Sequence, residues 1–144
     1  MAQSAALSLQ KAFFDLLTAP AFQAACGVSV GIYDRVPQGA VPPYIVISDI
    51  QEDGDTVQNY DGSELHANPT IYSSKPGKVE LFTIAGNLRA TLAPRADASG
   101  AVPFVLIDHR LITWKFLQLV PVNEPDGETV KAIAKLVYLT APLA

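Results

Sequence analysis

The chain has 144 residues, a hydrophobic fraction of 49 %, a charged fraction of only 17 % and a formal net charge of −4. This length fits one domain, residues 1–144, with a core that needs no metal or disulfide support. The acidic balance argues against a protein that chiefly binds phosphate backbones, whereas the apolar composition leaves monomer and oligomer equally open.

The first predicted element is an amphipathic helix from about Ser4 to Thr18, because apolar residues recur there at helical spacing. This N-terminal run lacks a basic segment and is interrupted by charges. It therefore predicts neither a signal peptide nor a membrane span, and a cytoplasm is the expected place of synthesis. Pro20 is expected to open a short second turn that Gly27 closes in the left-handed conformation.

Residues 31–47 join a polar, proline-rich arm to an apolar run. Val28–Tyr33 is a short β-prone segment, and Tyr44–Ile50 is predicted to be a strand buried on both faces and central in a sheet. Pro37 and two later prolines stiffen the arm between them, and Gly39 provides a position for positive φ. The arm is either a stiff surface connection or a contact arm for a protein partner.

The next segment, residues 51–64, is acidic and rich in turn formers, which predicts an exposed loop or hairpin tip. Leu65–Tyr72 alternates like a half-buried strand, in which Pro69 indicates an edge, a bulge or a break. Hydroxyl groups at residues 73 and 74 and a first-turn proline at residue 76 then predict a capped helix that runs to Leu92. Its buried stripe is expected to consist of Leu81, Ile84, Ala85, Leu88 and Leu92. Val79 and Phe82 lie off this stripe, so they either widen the core or contact another subunit.

Three β segments are predicted to follow: Phe104–Ile107, Leu111–Val120 and Thr129–Thr140. The last two form a hairpin through the turn Pro125-Asp126-Gly127. One hairpin face packs under the helices, and the other, which carries Trp114, Phe116 and Tyr138, is a candidate for burial between subunits. The expected fold is therefore α+β: a mainly antiparallel sheet of about four to five strands, two helices on one face, and this C-terminal hairpin.

No motif for catalysis or cofactor binding emerges. His66 and His109 are interpreted as surface side chains, and no nucleophile signature accompanies them, so a hydrolase is disfavoured. Cys26 is predicted to be a small buried hydrophobic residue, and no Cys/His cluster indicates zinc. The acidic loop fails the EF-hand pattern, so it is a solvated tip, an irregular cation site or a surface for a basic partner. No phosphate-binding loop is present, and Trp114-Lys115-Phe116 is a better match to core packing than to base stacking.

The order of elements resembles the tail completion or tail terminator proteins of long-tailed bacteriophages and related gene transfer agents. The most specific matching stretch runs from Tyr33-Asp34-Arg35-Val36-Pro37-Gln38-Gly39 to Pro43-Tyr44-Ile45-Val46-Ile47. Asp61-Gly62 and Pro125-Asp126-Gly127 match less specifically. Pro69 departs from the family pattern, in which an uninterrupted strand is expected at this position.

The resemblance implies a structural virion protein of the tail and neck, without catalysis, metal or cofactor. Such a subunit forms a ring, usually of six copies, that caps the head-proximal end of the tail tube and docks the head connector or stopper protein. DNA passes through the lumen without tight binding, and no membrane is involved. The residues expected to contact subunits or partners are Tyr33, Asp34, Arg35, Val36, Pro37, Asp53, Asp55, Trp114 and Phe116. The alternative is a small α+β module that binds a peptide or nucleic acid on its sheet.

Overall fold

The computed structural model describes residues 4–57, 60–74, 78–95, 102–107, 109–123 and 129–142, without the side chains of residues 55–61. Within these residues, seven strands form one mixed sheet and three helices pack on one of its faces, which confirms the predicted α+β class. In chain order the elements are α1 (Ala5–Thr18), α2 (Pro20–Cys26), β1 (Gly31–Tyr33), β2 (Tyr44–Val46), β3 (Ile50–Val57), β4 (Tyr60–Ala67), β5 (Thr70–Ser73), α3 (Val79–Leu92), β6 (His109–Asn123) and β7 (Val130–Pro142).

Strand β7 is the centre of the sheet. It pairs with β6 along one side and with β5 and then β4 along the other, always antiparallel. Strand β3 pairs with β4, and β2 pairs with β5, again antiparallel, whereas β1 adds to β2 in parallel. The sheet is therefore mainly antiparallel, with β6 at one edge and with β1 and β3 at the opposite edge.

The sheet has more strands than predicted because one expected strand is divided into β4 and β5 and because the acidic segment adds β3. Pro69 lacks an N–H group and separates β4 from β5, so the predicted break is the correct alternative. The carbonyl of Pro69 still accepts a 3.0 Å hydrogen bond from Ala134 N on β7. Residues 47–49 likewise separate β2 from β3. The acidic segment, expected to be a loop, instead supplies most of β3 and β4, because the solvent face of an antiparallel strand accepts charged residues.

Capping residues mark the start of α1 and the end of α2. Ser4 Oγ accepts a 3.1 Å hydrogen bond from Leu7 N at the start of α1, and Gly27 closes α2 with φ 75°. All five residues of the predicted α3 stripe are buried. Val79 and Phe82 are 81 % and 46 % exposed, so they do not widen the core.

The core lies between the helices and the inner face of the sheet. Tyr138 on β7 is fully buried, with its ring centroid 5.8 Å from that of Phe13 and 5.7 Å from that of Phe104. The prediction of a strand at Phe104–Ile107 is wrong. This segment holds Phe104 and Leu106 in the core by their side chains, and its backbone joins no strand.

Two further expectations need correction. Strand β2 is not buried on both faces: Ile45 is buried while Tyr44 and Val46 are half-buried, because the helices cover one face only. Helix α3 begins at Val79 after Lys78, which provides no side-chain cap. Ser73 belongs to β5 and donates to Glu80 Oε1 at 2.7 Å. The predicted first-turn proline at residue 76 and the turn at residues 125–127 lie outside the described residues.

Candidate functional site: the arm and the sheet edges

The arm, residues 34–43, is fixed firmly at its base. Gly31 N donates to Pro43 O at 3.2 Å, and Ile47 N donates to Tyr33 O at 2.9 Å, so the two ends of the arm are joined. Asp34 Oδ1 also accepts a 2.6 Å hydrogen bond from Gln10 Nε2 on α1. The base of the arm is therefore held by both the sheet and the first helix.

The tip of the arm is exposed. Ala40 N donates to Pro37 O at 3.2 Å, which closes a turn, and Gly39 within this turn has φ 83°, a conformation that favours glycine. Residues 35–39 are all exposed, and Val41 is 76 % exposed. The arm therefore presents a charged and apolar surface on a backbone of defined shape, as a contact element requires.

Three tyrosines, Tyr33, Tyr44 and Tyr72, form a row on the outer face of the sheet, away from the helices. The centroids of Tyr44 and Tyr72 are 5.0 Å apart in a stacked arrangement, and Tyr33 is tilted at 5.7 Å from Tyr44. A Cβ added at Gly31 would lie 2.8 Å from the hydroxyl oxygen of Tyr33, so the Tyr33 ring would have to shift if residue 31 carried a side chain. Tyr33 was predicted as a contact residue from the sequence, whereas Tyr72, which stacks on Tyr44, is brought into the row only by strand pairing.

Asp53 lies on the outer face of β3. Gln51 Nε2 donates to its carboxylate at 3.2 Å, and His66 Nε2 lies 3.7 Å from both Asp53 Oδ2 and Glu64 Oε1. Among the described residues, no group of three His, Cys, Asp or Glu side chains is placed to hold a metal ion. The backbone of Asp55 pairs with Gly62, and its side chain lies outside the description.

Trp114 and Phe116 do not lie on the face that the sequence predicted. They share the helix-facing side of the sheet with the fully buried Tyr138, whereas the sequence placed all three on the face away from the helices. Trp114 Nε1 donates to Pro94 O at 2.9 Å, and the guanidinium of Arg89 lies 4.4 Å from the centroid of Phe116. Both aromatic side chains are only half-buried, at the rim of the core.

Two β-bulges in the edge strand β6 explain this placement. The register with β7 shifts between Leu111 and Thr113 and again between Phe116 and Gln118. Each extra residue reverses which side chains face the helices, so Trp114 turns inward. The bulged residues Ile112 and Leu117 are 37 % and 48 % exposed. No sequence pattern indicated these bulges.

His109 and Cys26 are titratable side chains that lie in the core. His109 is buried at 8 % exposure, not on the surface as predicted, because β6 starts there and His109 Nδ1 lies 3.2 Å from Ile107 O. Cys26 is buried as expected, and this burial raises the pKa of its thiol despite a hydrogen bond with Asn87. Among the described residues, no helix is long and apolar enough to cross a membrane.

Comparison with known proteins supports one family. The model of the family described as tail completion protein gp17 matches residues 11–139. A chain from a solved structure titled "Virion of native gene transfer agent (GTA) particle" has the same fold, with a TM-score of 0.77 at 17 % identity, over 97 % of this chain and 99 % of that chain. No curated protein matches the sequence.

Proposed function

Because the chain belongs to the tail completion protein gp17 family, we propose that it is a structural virion protein that forms a ring, of six copies, on the phage tail. The ring caps the head-proximal end of the tail tube, ends tube growth and joins the tail to the head connector or stopper protein. The family match over residues 11–139 is the observation that carries this proposal. The shared fold with a chain of a gene transfer agent virion agrees with it.

The charge of the chain suits a ring that DNA traverses. Six copies at −4 each would carry a formal charge of about −24, which repels phosphates at moderate ionic strength. DNA would therefore pass through the lumen without tight binding. The chain needs no metal, cofactor or membrane for this role, and it would be made in the host cytoplasm before it joins the virion.

The described surface has two features that could supply the contacts of a ring. A ring is closed by heterologous contacts, in which two different surfaces of the same subunit meet. The open sheet edges and the exposed tip of the arm at Arg35, Val36 and Pro37 are such surfaces. Because the arm is fixed at its base by the hydrogen bonds of Gly31 and Ile47, contact with a partner would require little further ordering of the chain.

A peptide- or nucleic-acid-binding module has less support. That alternative requires Trp114 and Phe116 to be exposed on an open sheet, but both face the helices. Trp114 also uses its only donor on the carbonyl of Pro94. Among the described residues, neither of these aromatic rings lies on the open face of the sheet, where bases would stack.

Electron microscopy and native mass spectrometry of the purified chain, with and without tail tubes, test the proposal. We expect a closed ring, in solution or at one end of the tubes, and tubes of limited length when the protein is present during their assembly. A chain that stays monomeric at high concentration and neither binds nor caps tubes would refute the proposed role.

A further inference from the structure

The two opposite edges of the sheet carry opposite charges. The β3–β4 hairpin contains Glu52, Asp53, Asp55, Asp61 and Glu64 but no Lys or Arg within its strands. The β6 and β7 strands contain Arg110, Lys115, Lys131 and Lys135 but no Asp or Glu. Because β3 and β6 are the two ends of the strand order β3-β4-β7-β6, the sheet has an acidic edge and a basic edge.

Both edges are open for pairing in the part of the chain that the structure describes. Among the described backbone hydrogen bonds outside helices and sheet pairs, none involves β6, and the one that involves β3 is Ile50 N to Ser48 O at 3.1 Å. Lys115 is exposed, and the side chain of Asp53 is about half-exposed, at 48 %. An exposed edge with unpaired backbone groups is a site for sheet extension into another chain.

Lys115 and Asp53 lie on the same face of the sheet, the outer face. Lys115 is opposite Val137, which is opposite His66, which is opposite Gln51, so one row of outer-face residues crosses all four strands. The next row begins with Thr113 and ends with Asp53. If a second copy continues the sheet row by row, Lys115 of one chain lies opposite Gln51 of the next on the outer face, and a shift of two residues places it opposite Asp53.

From this placement we propose that the β6 edge of one copy pairs antiparallel with the β3 edge of the next, with Lys115 opposite Asp53, and that this contact closes the ring. The inference rests on the proposed ring and specifies its interface. The four strands alternate in direction, so β6 beside the β3 of a neighbour continues the antiparallel order. The contact joins two different surfaces, as a closed ring of identical subunits requires.

The two bulges fit this role. They place the exposed apolar side chains of Ile112 and Leu117 on the edge strand, where a neighbouring strand would cover them. They also interrupt the ladder, so β6 is a poor template for an arbitrary strand. Opposite charges would then favour pairing of β6 with the acidic β3 edge. Pairing of two β6 edges would instead bring like charges together.

Charge reversals at Lys115 and Asp53 test the electrostatic contribution to the proposed contact. We expect Lys115→Glu and Asp53→Lys each to weaken ring formation by about tenfold or more, and the double variant to recover most of it. Arg95→Glu is the matched control, because Arg95 is exposed and lies outside both edges. The fraction in rings is measured by native mass spectrometry, and on tail tubes by electron microscopy, with circular dichroism as the check on folding.

Disulfide formation between cysteines introduced on the two edges tests the geometry of the proposed contact. Three strand spacings separate β3 from β6, about 14 Å, so Cys residues on both edges of one chain cannot bond to each other. In a Cys26→Ala background, Lys115→Cys combined with Asp53→Cys should give a covalent ladder up to the full ring after oxidation. Arg95→Cys combined with Asp53→Cys should not.

The outcomes separate the two proposals. If the wild-type chain forms rings but the edge variants behave like the Arg95 controls, the ring uses another interface and this inference is wrong. If the wild-type chain forms no ring in solution or on tail tubes, the proposed function itself fails. Single charge reversals that disrupt rings without recovery in the double variant would also contradict direct pairing of Lys115 with Asp53.

Discussion

The hydroxyl of Tyr138 donates a 2.6 Å hydrogen bond to the backbone carbonyl oxygen of Leu92, inside the core. This bond joins the central strand β7 to the last turn of α3, whose final carbonyls have no partner within the helix. Since Tyr138 is fully buried, water cannot replace the bond if the hydroxyl is removed. The helical layer and the sheet are therefore connected by a hydrogen bond as well as by apolar contact.

We expect Tyr138→Phe to lower the free energy of unfolding by about 1–3 kcal/mol, because the carbonyl of Leu92 would stay buried without this donor. The ring contacts with Phe13 and Phe104 would remain. Urea denaturation followed by circular dichroism measures the effect. Tyr72→Phe, on the half-buried outer face, is the matched control and should change stability by less than about 0.5 kcal/mol. Equal stability of both variants would show that the hydroxyl contributes nothing.

The burial of Tyr138 also predicts that the free energy of unfolding falls at alkaline pH. Burial raises the pKa of Tyr138 because the phenolate would have to form without water. A folded-state pKa above the unfolded value means that this contribution to stability is complete below about pH 10 and is lost as pH rises further. The wild-type chain should therefore lose more stability between pH 9 and 11 than Tyr138→Phe does. Parallel pH profiles for the two proteins would contradict the prediction.

Gln23 joins the end of α1 to the chain before β1. Its Nε2 donates to Leu17 O at 2.8 Å and to Val30 O at 2.9 Å, while Oε1 accepts from Val30 N at 2.7 Å. Gln23→Glu would place a carboxylate against two carbonyl oxygens at neutral pH. Gln23→Met would remove the three bonds without adding charge.

We expect Gln23→Met to cost about 1–3 kcal/mol of stability, and Gln23→Glu to cost more at pH 7. A proton on the new carboxyl group would restore one donor, so its extra penalty should shrink as pH falls toward about 4. Thermal unfolding at both pH values measures this. A Gln23→Glu chain that is as stable as wild type at pH 7 would show that the three bonds are not maintained in solution.

The raised pKa of the Cys26 thiol predicts slow reaction with thiol reagents. The thiolate is the reactive form, and burial lowers both its population and its access to reagent. At pH 8 the native chain should react with a disulfide reagent such as Ellman's at least about a hundredfold more slowly than the urea-unfolded chain. Comparable rates in the two states would mean that the segment around Gly27 opens readily.

Sequence periodicity was sufficient to predict an element that buries one face and contains no irregularity. The α3 stripe was predicted residue by residue from the 3.6-residue repeat, and Gly27 as a C-cap from its position after α2. The same reasoning failed for Trp114 because a bulge at Ile112 reverses the alternation, and bulges depend on pairing with β7. The charge difference between the edges is visible in the sequence, but only the strand order places the two charges at opposite ends of one sheet.

The last prediction concerns the arm, residues 34–43. Arg35→Glu reverses a charge on its exposed tip, so stability should change by less than about 0.5 kcal/mol while assembly of rings or capped tubes falls. Pro37→Gly combined with Pro42→Gly should act in the same direction, because glycine widens the conformations available to the arm. Arg95→Glu again provides the matched charge reversal away from the arm. Sedimentation velocity and electron microscopy measure assembly, and normal assembly of folded arm variants would reduce the arm to a connection between β1 and β2.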